Sequence, residues 1–84
     1  MELIQDSAHK KYINVNAEFT KEGEVIPHSV VDDDGEIFEI QRIKDIRRAA
    51  SLRAGAVGIR FTCIIDGYEK VIFYEDNCKW FVEV

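Results

Sequence analysis

Proline is nearly absent from this chain of 84 residues: there is one, Pro27. Cysteine and histidine occur twice each, and tryptophan once. The two cysteines, Cys63 and Cys78, belong to no CxxC pair and fall short of the soft-ligand set that a structural metal needs. No run approaches the roughly 18 apolar residues of a membrane span. The opening "MELIQDSAHKKYINV" has neither the basic start nor the long apolar stretch of a signal peptide. These absences lead us to expect a cytoplasmic chain with both thiols reduced, no cofactor and no metal.

What is present is enough for one core. With 46% hydrophobic residues, the chain can fold as a single domain, 1–84, with the first ten residues loosely held. It is too short for a second domain or an enclosed substrate cavity, which argues against an enzyme. The net charge of −5 is unevenly placed. Residues 42–60 hold six cations and one acid, Asp45, for a local charge of +5, so −10 falls on the remainder. Such a separation is either a binding surface or a means for two parts of one molecule to attract each other.

Most of the sequence alternates with period two. In "YINVNAEFT", Ile13, Val15, Ala17 and Phe19 alternate with polar residues, the pattern of a half-buried strand. "VIPHSVV" is β-branched, but its proline has no N–H for a ladder, so it reads as an edge or bulged strand. "EIFEIQRI" and "GIRFTCIID" alternate again, and "DGY" predicts a tight hairpin into "EKVIFYE". "KWFVEV" closes the series and is a second candidate edge.

One stretch reads two ways. Ile40, Ile43, Ile46, Ala50 and Leu52 fall near helical spacing, with Gly55 placed like a helix C-cap, yet the run starts inside a β pattern. The reading is a bulged strand to about Ala49 and a loop through Gly58, with a short helix over residues 44–54 as the alternative. The fold class is therefore mainly β, a small antiparallel barrel or strongly curled sheet of five to six strands. Its expected core is Ile13, Val15, Phe19, Phe38, Ile40, Phe61, Ile65, Phe73, Trp80 and Val82.

Site-like motifs mostly have plainer readings. In "VVDDDGEIFEI", taking Gly35 as position 6 of a calcium loop puts Val30 at position 1 and Gln41 at position 12, where acids are required. A turn, with glycine at φ > 0 and an aspartate bonding its own backbone, suits the residues better. His28, Ser29 and Asp32 suggest a hydrolase, but strand neighbours point to opposite faces, which separates nucleophile from base. The GxxG of "RAGAVGIR" leads into a strand rather than a helix and reads as a loop.

The basic segment has the most functional content. Arg42, Lys44, Arg47, Arg48, Arg53 and Arg60 are candidates for phosphate or anion binding, with Arg42, Lys44 and Arg48 expected on one outer face beside Arg60. The plain reading is a solvated face paired with nearby acids.

The order of proline strand, "DGEIFEI", "RAASLRAGAVGIRFT" and closing "KWFVEV" resembles short bacterial proteins of a domain-of-unknown-function family, from about Tyr12 onward. The resemblance brings no catalytic motif and carries over no site residue. The "DG-x-x-F-x-I" pattern and final tryptophan strand are also similar to a small domain associated with bacterial error-prone DNA polymerases, which implies a nucleic-acid setting. The sequence thus leads to a non-catalytic interaction module, engaging a protein partner or a second copy as a homodimer through an edge strand. A nucleic-acid accessory domain is the alternative, and no membrane role is expected.

Overall fold

The computed structural model describes residues 9–84; most of the segment expected to be loosely held, 1–8, lies outside them. The described residues form strands β1 (Lys10–Phe19), β2 (Val25–Val31), β3 (Ile37–Ser51), β4 (Ala56–Ile65), β5 (Tyr68–Glu75) and β6 (Trp80–Glu83). Each pairs antiparallel with the next, and β6 returns to β1, closing a barrel. "KWFVEV" therefore has a strand on both sides and is not an edge. The proline strand is bulged: Asn16 faces Ser29 while Ala17 faces Pro27, which leaves His28 as the extra residue.

The turns explain the local chemistry of the sequence. The loops starting at Thr20, Asp32 and Glu75 share one pattern, in which the first N–H donates to the fifth carbonyl and the fourth N–H to the first carbonyl. The fourth residue is left-handed in each: Gly23 (φ 88°), Gly35 (φ 85°) and Cys78 (φ 70°). The carboxylate of Asp32 accepts from the N–H groups of Asp34 and Glu36, both at 2.9 Å, so the aspartate run builds a turn. Asp66 and Gly67, at φ 54° and 81°, make the two-residue turn that "DGY" predicts.

Cys78 thus occupies a position better suited to glycine. Cys78→Gly is expected to change stability by less than about 1 kcal/mol, the left-handed cost relieved being offset by unfolded-state entropy and by loss of the thiol's contact with Tyr74. Cys78→Val, β-branched at the same φ, is expected to lower it by about 1–2 kcal/mol. Thermal melts of the two variants check the ordering.

β3 is a strand throughout, so residues 44–51 are not helical, and β4 begins at Ala56, leaving a loop of residues 52–55. Two bulges lie on β3, between Ile40 and Arg42 and between Ile43 and Asp45. Each inserts one residue and turns a spacing of two into three. Ile40, Ile43 and Ile46 consequently share one face, opposite Ile65, Cys63 and Phe61; Ile40 and Ile43 pack on the core, while Ile46 is partly exposed at the wall. Bulges in a strand produced the helix-like spacing.

The barrel core centres on Phe61, Cys63, Ile65, Ile72 and Trp80. In β5 the inward residue is Ile72; the expected core residue Phe73 points outward, as does Phe81 of β6. These two rings stack with centroids 4.9 Å apart. They belong to a second cluster on the outer wall, covered by Ala54 and Ala56 of the curled β3–β4 tip. Ser51 Oγ donates to Glu83 at 2.6 Å and Arg53 Nε to the Val84 carbonyl at 2.8 Å, which hold the tip down. Beside them Lys10 and the Tyr12 hydroxyl both bond Glu75. Burial alone would lower the Lys10 ammonium, but its bonds to Tyr12 and Glu75 leave it raised. Phe19, also expected inside, is 64% exposed at the barrel mouth.

Candidate functional site

Pro27 and the β3 bulges together open the barrel wall. β2 pairs with β1 as far as Phe19 and Val25, but with β3 only over Ser29–Val31 against Ile37–Glu39. Beyond that, a proline without an N–H faces a strand that bulges twice. The first half of β2 and the middle of β3 part, leaving an apolar cavity of about 640 Å³. Val25, Ile43, Ile46, Ile59, Phe61 and Tyr74 line it, and Phe19 and Glu24 stand at the rim.

Its aromatic side is continuous. Phe19 meets Tyr74 edge-on at 6.0 Å, Tyr74 meets Trp80 at 4.8 Å, and Trp80 meets Phe61 at 5.5 Å. A hydrogen bond with the Cys78 thiol, together with burial, raises the Tyr74 phenol above its ordinary range. From the cavity the same face of the β3–β4 hairpin continues outward. Ala50 pairs with Val57 there, and Leu52, 93% exposed, stands at the tip. Apolar side chains thus run from Phe19 past Ile46 to Leu52 on this face, interrupted by Arg48 opposite Ile59.

The cations of the basic segment are placed differently from expectation. The bulges put Arg47, not Arg48, directly opposite Arg60 on the outer wall; Arg48 lies opposite Ile59 on the groove face. Lys44 bonds Glu69 at 2.8 Å, Arg47 bonds Asp45 at 2.7 Å, and Arg48 bonds Asp76 at 2.7 Å. The Arg47 hydrogen bond holds the Asp45 carboxyl below its ordinary range, and the charges of Arg47 and Arg60 add to the effect. Arg53 serves the tip latch. Arg42 is exposed opposite Ile64, with no acceptor among the described residues, and the Nε of Arg60 is buried without one.

The hydrolase candidates are not brought together. His28 Nε2 meets Glu18 at 3.1 Å, Ser29 accepts from Asn16 at 2.9 Å, and Asp32 is engaged in its turn. No three His, Cys, Asp or Glu among the described residues gather as a metal set. Gly55 of the GxxG sits in the tip turn and Gly58 in β4.

Cys63 is fully buried, and burial pushes its thiol from 9.0 up to about 11. The folded chain should therefore be alkylated at exposed Cys78 alone, and at both cysteines once denatured; mass spectrometry reads the count. An unfolded thiol releases its proton near 9.0 while the folded one holds it to about 11. The stability contribution of Cys63 is therefore intact below that window and falls as pH rises through it.

No family model, curated protein or solved structure matches this chain. The groove and the surface around it carry the functional reading.

Proposed function

We propose that this chain is a non-catalytic interaction module that receives a segment of a protein partner in the groove between β2 and β3. The supporting observation is the apolar cavity at the open seam, beside which Phe19 and Ile46 are 64% and 54% exposed. Contiguous apolar surface on a small chain weakens solubility unless something covers it. Pro27 on one bank and two bulges on the other blunt both strand edges, so recognition runs through side chains more than through added ladder hydrogen bonds.

The test is selection from a random-peptide library on wild-type chain immobilised too sparsely to pair with itself. Peptides that bind wild type and lose an Ile46→Lys variant support the reading. Binders indifferent to that change, or none at all, would sink it. The basic segment favours nucleic acid less, because Lys44, Arg47, Arg48 and Arg53 already have acceptors. Labelled oligonucleotides are accordingly expected to show no anisotropy change at low salt; binding abolished by Arg42→Glu would reverse that preference.

A further inference from the structure

We infer that the other end of the barrel binds a small amphiphilic monocarboxylate, its aliphatic tail inside the barrel mouth and its acid group on Lys70. This site is separate from the partner groove and shares no lining residue with it. It is an open cavity of about 410 Å³, with Val30, Phe38, Ile65, Ile72 and Val82 as its apolar surface. That volume falls within the range of about 300–1,000 Å³ usual for small-molecule sites, and barrel mouths are among the places where such sites occur. The strand pairing creates the opening. β5 pairs with β4 along its whole length, but its ladder with β6 contains only Phe73 and Tyr74. β6 meanwhile stays beside β1 as far as Glu83. The stretch of β5 from Tyr68 to Ile72 thus has a strand on one side only, and the wall parts between it and Val82.

Lys70 gives the cavity its chemical preference. It lies directly opposite Cys63, which is fully buried, and opposed residues of an antiparallel pair share a face. A lysine therefore stands on the inward face of β5, between Tyr68 and Ile72, where the alternation calls for an apolar residue. It lines the cavity, and its ammonium lies 5.8 Å from the centre of the Tyr68 ring. No carboxylate among the described residues pairs with it. A cation without an internal counterion, at the rim of an apolar chamber, suits a ligand with one negative head and an aliphatic body. Asp66 completes the lining at the hairpin turn, and it too has no ion pair among the described residues. Its charge opposes a second acid group, which favours a monocarboxylate over a dicarboxylate or a phosphate. The competing role for Lys70 is to repel added strands at the free edge of β5.

Titration calorimetry with octanoate, read beside amide chemical shifts, separates the two. Octanoate should bind once per chain and move the resonances of Val30, Phe38, Ile72 and Val82 while leaving those of Phe19 and Ile46 in place. Octanol, with the same tail and no charge, should bind about tenfold more weakly. Lys70→Met should weaken octanoate by a similar factor without changing octanol, and with an unchanged circular dichroism spectrum, since the side chain is exposed at the rim. Asp66→Asn should tighten octanoate about threefold by removing a like charge; asparagine tolerates the φ of 54° there. No binding of octanoate up to millimolar concentration overturns the inference. So do equal affinities for octanoate and octanol, or shifts confined to the groove between β2 and β3. A Lys70→Met chain that keeps its octanoate affinity but oligomerises makes Lys70 an edge guard, and overturns it as well.

Discussion

Phe61→Ala is expected to remove about 3–5 kcal/mol of folding free energy, enough to leave much of the chain unfolded. A chain of this length has about 4–13 kcal/mol in total. Phe61 has no exposed surface, lies opposite Ile46 on β3 and packs on the Trp80 ring at 5.5 Å. It also forms part of the cavity floor, so truncation enlarges a void that backbone collapse cannot readily fill, because the wall is held open by Pro27 and the bulges. Phe19→Ala is the matched control. Its ring is mostly exposed, and its loss should cost about 1 kcal/mol or less. Urea denaturation of both variants separates them; equal midpoints would contradict the placement of Phe61 at the centre.

Gly58→Ala should be nearly as damaging, for a different reason. Gly58 faces Glu75 across the β4–β5 ladder. A methyl group there would lie 2.8 Å from the Glu75 Cα and closer still to the Tyr74 carbonyl oxygen, both backbone atoms that cannot swing aside. The strands would have to part where Glu75 holds Lys10 and Tyr12, at a cost of about 3 kcal/mol. Gly67→Ala makes the comparison, since open space surrounds its left-handed position and backbone strain alone costs about 1 kcal/mol. Melting of the Gly58 variant within that smaller margin would show that β4 and β5 do not approach so closely.

The fold class was readable because most strands keep strict alternation and the turns carry the residues their geometry demands. Two features broke the reading. On β3 the bulges after Ile40 and Ile43 mixed spacings of two and three, which a sequence alone does not distinguish from a helical face. On β5, "VIFY" is apolar on both faces, and nothing in its composition says that Ile72 faces the barrel while Phe73 faces the tip. Phe81 was missed for the same reason: its burial depends on a hairpin folding over the outer wall. The groove was half legible. Pro27 announced an irregular strand, but that its partner bulges opposite it, and so opens a cavity, depends on contacts between segments far apart in sequence. The ion pairs of Lys44 and Arg48 likewise join residues more than twenty positions apart.

The pairing of the first strand with the last has a consequence for synthesis. Residues 10–13 of β1 find their neighbour only in residues 80–83, at the greatest sequence separation of any pair in the sheet. The β2–β5 meander can assemble hairpin by hairpin as the chain leaves the ribosome, because each of its turns is local. Those first four residues of β1 must wait. During that interval Ile13 and the inner face of β5 lack their cover, and the nascent chain presents sticky surface for as long as translation takes to deliver Trp80. Barrel closure should thus be the slow, late step of folding, and the one most dependent on holding factors in a crowded cell.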